Sequence, residues 1–157
     1  ISGLYNASNN QIFFDNIDIN KINIYSLRKK MGYVFQENFF FKGTVKENLE
    51  LPEKKLNDEN IQNYTKLLNL EKLIHNNKII DENSSNISIG ERQRLGILRE
   101  ILKSPEILLL DEITSSVDSN STKLIINFLN EIKKNKTIVA VSHQADFDSI
   151  ADNVYNI

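Results

Sequence analysis

Apolar positions along the 157-residue chain change their spacing twice. Over the first third they form short aromatic-rich runs, Ile12-Phe13-Phe14 within residues 11–15 and Tyr33-Val34-Phe35 within 31–35, which predict strands joined by a short helical piece over 25–30. From 44 to 51 and again from 58 to 73 they recur at three- and four-residue steps (Ile61, Tyr64, Leu67, Leu68), the amphipathic-helix spacing. Residues 91–103 place Leu95, Leu98, Ile101 and Leu102 on one stripe and stop at Ser104-Pro105, as a helix does before proline. Residues 106–111 then predict a strand buried on both faces, 122–133 a helix (Leu124, Ile125, Phe128, Leu129, Ile132), and 137–142 a second fully buried strand. Continuous apolar strands alternating with amphipathic helices imply βαβ units and an α/β fold with a parallel core sheet. Ligands of such sheets sit at the carboxyl ends of the strands.

Composition narrows the partners. Lys and Arg number 19 against 21 Asp and Glu, a net charge of −2, which gives no sign of a basic surface built to hold a nucleic-acid backbone. Apolar runs such as 107–110 fall far short of the ~20 residues that span a bilayer. With no cysteine and two histidines, disulfide frameworks and thiolate metal sites are excluded and a His-based zinc cluster is disfavoured. The amino terminus carries no signal-peptide pattern, which points to a cytosolic compartment. The 22 asparagines and 22 isoleucines read as codon drift in an AT-rich genome, a background rather than a functional signal. No linker or repeat divides the chain.

Polar residues gather where the strands end. Asp111 and Glu112 follow Leu108-Leu109-Leu110, and His143 follows Ala140-Val141-Ser142. Polar strand ends are common, but alternating side chains point to opposite faces, so Asp111 and Glu112 can serve different partners: one a hydrated magnesium ion, the other an attacking water. A second group, Ser88-Ile89-Gly90-Glu91, opens the long helix. Ser88 with Glu91 three residues later is a capping box, which accounts for both without a ligand; the same helix start, with a hydroxyl and a glycine amide, is also an anion site, and the two readings are compatible.

The order of these features is more specific than any one of them. Gln36 ends a strand, Ser88-x-Gly90-Glu91 opens a helix 52 positions later, Asp111-Glu112 stand 21 positions after Gly90, Ser115-Ser116-Val117-Asp118 follow at once, and His143 closes the series. This set resembles the nucleotide-binding domain of ATP-binding-cassette (ABC) transporters. Gln36 resembles the Q-loop glutamine, residues 87–91 the signature usually written LSGGQ, 107–111 Walker B, Glu112 the catalytic glutamate, 115–118 the D-loop and His143 the switch histidine. Gly43-Thr-Val-Lys-Glu-Asn-Leu49 and Asp81-Glu-Asn-Ser-Ser-Asn-Ile-Ser88 are similar to segments of the exporter branch. The resemblance implies a P-loop NTPase-like parallel sheet, with 1–43 and 87–157 as a partial RecA-like ATPase core and 44–86 as an ABC-type helical subdomain. It implies ATP and Mg2+ as cofactors, with Asp111 and Gln36 at the metal, Glu112 and His143 catalytic, and Gln36, Ser88, Gly90, Glu91 and Asp118 at the nucleotide. It further implies two partners, a second nucleotide-binding domain and the coupling helices of a transmembrane domain met through Gln36, Glu82 and 44–86, with the chain at the cytoplasmic face of the membrane.

Departures from the pattern shape the expectation. No Gly-x-x-x-x-Gly-Lys-Ser/Thr loop occurs; residues 1–5 align with the end of the helix that normally follows it, and 153–157 with a strand that the family continues. Both ends look cut, so a fragment of an exporter ATPase, inactive alone for want of Walker A, is the first expectation. A non-hydrolysing or degenerate cassette partner is the second. A soluble ABC-type ATPase outside transport is the third. Ile89 replaces a signature glycine, Glu91 a glutamine and Ile113 a common proline; Asp118 also reads as the N-cap of the helix after it.

Overall fold

The computed structural model describes residues 7–49 and 58–156. Turns and helix ends in this range are set largely by side chains that tolerate a left-handed backbone or cap a helix. Asp15 and Asn16, both at positive φ (47° and 65°), turn the hairpin of β1 (Phe13–Phe14) and β2 (Ile17–Asp18). Asn23 accepts hydrogen bonds from the amides of Tyr25 and Ser26 and starts α1 (Ile24–Lys29), which leads into β3 (Met31–Val34). β1 falls within the strand expected over 11–15 and α1 overlaps the helical piece expected over 25–30, while β2, which makes the first strand a hairpin, was not expected. The asparagine-rich composition thus has a structural use beyond background.

The middle third begins with β4 (Gly43–Thr44), paired antiparallel with β5 (Ile79–Ile80). Between them lie α2 (Val45–Asn48), opened by a Thr44/Glu47 capping box, α3 (Glu59–Leu67) and α4 (Glu71–His75). The continuous helix expected over 58–73 is therefore two helices. Asn69 adopts φ 51°, its amide bonds the Lys66 carbonyl, and the Leu70 amide bonds that of Thr65 at 2.8 Å. This is the hydrogen-bond pattern of a Schellman end, so the apolar period runs on while the backbone turns. The part of the predicted 44–51 helix beyond Leu49 and the alignment of residues 1–5 fall outside the described residues.

The last third supplies the sheet. α5 (Ile89–Leu102) ends before Ser104, which takes φ 56°, and Pro105, which has no amide to continue the ladder. β6 (Ile107–Asp111), α6 (Ser119–Ile132) and β7 (Thr137–Val141) follow. The sheet order is β3-β6-β7, all parallel, with Val34 opposite Leu110 and Asp111 opposite Val141. Leu108, Leu109 and Leu110 are buried as expected for a central strand. β7 is not. Val139 and Val141 are exposed, because β7 pairs with β6 on one edge only and no other described strand flanks it. The expected strand at 153–157 is likewise absent from its described part, where Val154 and Tyr155 stand exposed without a pairing strand.

One apolar cluster joins the helices of the middle third to the sheet layer: Leu68, Leu70 and Ile80 pack with Leu95, Leu98, Leu108 and Phe128. Tyr64 of α3 meets Phe128 of α6 edge-on, ring centroids 5.6 Å apart. Among the described residues no helix is long and apolar enough to cross a membrane.

Candidate functional site

Three parallel strands deliver three polar side chains to one edge. Gln36 lies two residues past β3, Glu112 directly follows β6 and His143 stands two residues past β7. His143 Nε2 is 3.1 Å from Glu112 Oε1, and Gln36 Nε2 is 3.5 Å from Glu112 Oε2 and donates to Ser115 Oγ at 3.1 Å. Residues 107 positions apart in sequence thus converge on one carboxylate. His143 is open to solvent while Glu112 is mostly covered, with side chains 85% and 27% exposed, so a ligand can reach the imidazole without moving the core.

The backbone of Glu112 is held from both sides. Its amide donates to the Val141 carbonyl at 2.9 Å, extending the β6–β7 ladder by one residue, and its carbonyl accepts from the Ser115 amide and hydroxyl. These bonds hold it at φ 48°, a left-handed conformation that costs a non-glycine residue about 1–3 kcal/mol. The turn removes Glu112 from strand alternation and aims its side chain across the sheet edge. Asp111, still in β6, is half-buried and receives the Tyr33 hydroxyl at 3.4 Å. Burial first, and the Asp111 charge second, push the Tyr33 phenol above its ordinary value.

The second group lies where α5 and α6 begin. Ser88 and Glu91 form the predicted capping box: Ser88 Oγ accepts from the Glu91 amide at 3.1 Å, and the Ser88 amide donates to Glu91 Oε2 at 2.8 Å. The Glu91 carboxylate is thereby folded back onto the cap. Asp118 accepts from the amides of Asn120 and Ser121, the predicted N-cap of α6. Gly90 lies against that cap. Buried Arg94 donates from Nη1 to Ser121 Oγ, while its Nε has no partner, and burial lowers the guanidinium pKa against the opposing charges of Glu91 and Asp118. The 112–118 turn connects this group to the sheet edge. Ser88, Gly90 and Glu91 contribute no hydrogen bond to Glu112 or His143. Glu82 sits exposed in the turn before Ser88, a turn closed by Asp81 accepting from the Ser85 amide and hydroxyl.

Hydrogen bonds from Ser121 hold the Asp118 carboxyl below its ordinary 3.8. A depressed carboxyl stabilises the fold above its unfolded pKa and loses that contribution as pH falls through the folded value. Asp118→Asn keeps an acceptor without a titrating group. It is expected to flatten the acid limb of the thermal midpoint against pH, below about pH 4, relative to the parent chain in calorimetry.

Tyr33, Ser115, Arg94 and Ser121 support these groups without having been singled out as site residues. The parallel register that sets Tyr33 opposite Leu109, two residues before Asp111, is the one signal that would have found Tyr33.

The three-stranded parallel sheet with polar groups gathered at its carboxyl edge has the P-loop NTPase-like α/β architecture expected from the sequence. The ABC transporter family profile matches residues 1–115, and the chain belongs to that family. It is 34% identical over 158 residues to ABC transporter B family member 3 of Dictyostelium discoideum, covering 98% of this chain and 11% of that protein. Against the ABC transporter ATP-binding protein YwjA of Bacillus subtilis it is 35% identical over 155 residues, 96% of this chain and 27% of that one. Against the sublancin-168-processing and transport ATP-binding protein SunT of the same organism it is 36% identical over 149 residues, 91% and 21% respectively. The chain thus spans roughly a tenth to a quarter of the length of these relatives. A solved bacterial Atm1-family ABC exporter with ATP bound shares the fold, with a TM-score of 0.73 at 24% identity over 88% of this chain and 25% of that one.

Proposed function

We propose that this chain forms part of the ATP-hydrolysing domain of an ABC exporter, working at the cytoplasmic face of a membrane against a second nucleotide-binding domain. The observation that carries the reading is the convergence of Gln36, Glu112 and His143 at the carboxyl edge of adjacent parallel strands. The relative SunT, whose name specifies transport, supports the transport half of the reading.

Glu112 is the group that accepts a hydrogen bond from the attacking water and takes up its proton as the water oxygen bonds to the terminal phosphorus and the bridging P–O bond breaks, releasing the nucleoside diphosphate. His143, exposed beside it, gives a donor to the phosphate oxygens on which charge grows. In the observed arrangement the imidazole rests on Glu112, so nucleotide entry exchanges that contact for one to phosphate. Ser88 and Gly90 present a capped helix start to the nucleotide of the opposite domain, with the Glu91 charge turned inward onto the Ser88 amide. Asp118 links the two sites through the turn that also positions Glu112. Gln36, Glu82 and residues 44–86 face the coupling helices of the membrane domain.

The donors fit magnesium brought by the nucleotide. Asp111 offers a hard carboxylate, and with its amide nitrogen turned to Glu112 and Ser115, Gln36 would meet the cation through its oxygen. Among the described residues no three acidic, histidine or cysteine side chains are grouped so as to hold a metal ion by themselves. That suits an ion that takes its remaining ligands from phosphate and water. When bound, magnesium neutralises charge on the phosphates. Asp111→Asn in the intact transporter is expected to raise the magnesium concentration for half-maximal ATP turnover by about tenfold. An unchanged magnesium requirement would count against the assignment.

A further inference from the structure

The loop that carries Gln36 is fastened to α5 by side chains that the hydrolysis reading leaves unused. Asn38, buried, donates from Nδ2 to the Phe35 carbonyl at 3.2 Å and to Gln93 Oε1 at 3.0 Å. Gln93, also buried, donates from Nε2 to the same Phe35 carbonyl at 3.1 Å. Phe35 immediately precedes Gln36, so two donors fix the peptide from which Gln36 projects. Asn38 fits there because position 96 is glycine: a Cβ on Gly96 would lie within 2.5 Å of Asn38 Oδ1 and 2.6 Å of Nδ2. Further along the loop, Arg99 Nη1 donates to the Phe39 carbonyl at 2.8 Å and its guanidinium lies over the Phe40 ring at 4.7 Å.

We infer that Asn38 and Gln93, seated on Gly96, form a latch that positions Gln36 against Glu112 and makes the Gln36 loop travel with α5. The inference rests on the reading of Gln36 and Glu112 given above. Its physical basis is that a buried amide pair bonded to one another and jointly to one carbonyl has a single satisfied geometry, and any other leaves buried polar atoms unpaired. Ser88 and Gly90 start the same α5, so a shift of that helix start reaches Gln36 through the latch without passing through the sheet. Asn38 and Gln93 are positioning residues, since their hydrogen bonds go to each other and to Phe35 rather than to Glu112, His143 or Asp111.

The test measures steady-state ATP turnover of the intact transporter in Asn38→Leu and Gln93→Met, each alone and combined with Gln36→Ala. Both replacements keep the approximate side-chain shape and remove the amide donors. Each alone is expected to lower kcat about tenfold with KM for ATP within about twofold, the signature of misplaced rather than lost groups. In the Gln36→Ala background, where turnover is already reduced, neither is expected to cost anything further, because the group they position is gone. Unchanged kcat in the single variants, or a full tenfold loss added to that of Gln36→Ala, would overturn the latch while leaving the Gln36 reading intact. Unchanged turnover in Gln36→Ala alone would instead remove the role of Gln36, and the latch with it. Should Asn38→Leu not give a cooperative thermal transition, Gln93→Met carries the test, since it leaves the packing of Asn38 on Gly96 in place.

Discussion

Glu112→Gln in the intact transporter is expected to lower ATP turnover about 100- to 1,000-fold, within the range of general-base losses, with nucleotide affinity close to that of the parent. The substitution preserves shape. Gln can occupy the same left-handed backbone position, and the bonds from its amide to Val141 and from Ser115 to its carbonyl use only main-chain atoms of residue 112. What changes is the charge, and with it the ability to accept a proton. The contact with His143 should also weaken, because an amide presents less negative charge to the imidazole than a carboxylate does. A loss of turnover with retained MgATP binding separates chemistry from assembly; turnover within about threefold of the parent would exclude Glu112 as the base.

The candidate groups were legible because each follows a local rule. A short apolar strand ending in two acids, a Ser-x-x-Glu box and an Asp before a helix are features of adjacent residues, and the structure holds Asp111-Glu112, Ser88-Glu91 and Asp118 in those arrangements. Properties that depend on distant neighbours were not legible. The run 137–141 is as apolar as 107–110, yet only the second is central, since burial of a strand depends on what flanks it. Asn69 splits a helix whose side-chain period continues unbroken, because a left-handed residue changes the backbone and leaves the apolar order alone. Glu112 was expected to continue strand alternation from Asp111; its positive φ takes it out of that alternation, and this is what lets one carboxylate meet Gln36 and His143 together.

Gly90 shows how a residue carried by motif resemblance is also required by packing. A methyl group at this position would overlap Ser121 Oγ and lie 2.8 Å from Ser121 Cβ and 3.0 Å from Asp118 Oδ2. These atoms are not the free ends of flexible side chains. Ser121 is in the first turn of α6 and receives Arg94, and Asp118 holds the cap of the same helix. Gly90→Ala must therefore move α5 away from α6 or displace Ser121, leaving the buried guanidinium without its hydroxyl acceptor. The expected cost is about 3 kcal/mol, the upper part of the overpacking range, which for a chain of this size lowers the thermal midpoint by about 6–12 °C. Adding Ser121→Gly removes both overlapping atoms. The double variant is expected to unfold at a higher temperature than Gly90→Ala alone, although glycine in the first turn of α6 and the unpaired Arg94 keep it below the parent. Equal midpoints for the single Gly90→Ala variant and the parent would mean that the two helix starts separate freely. Since Asp118 and Ser88 sit on opposite sides of that contact, such freedom would leave neither cap in a fixed position to meet a nucleotide held by the opposite domain.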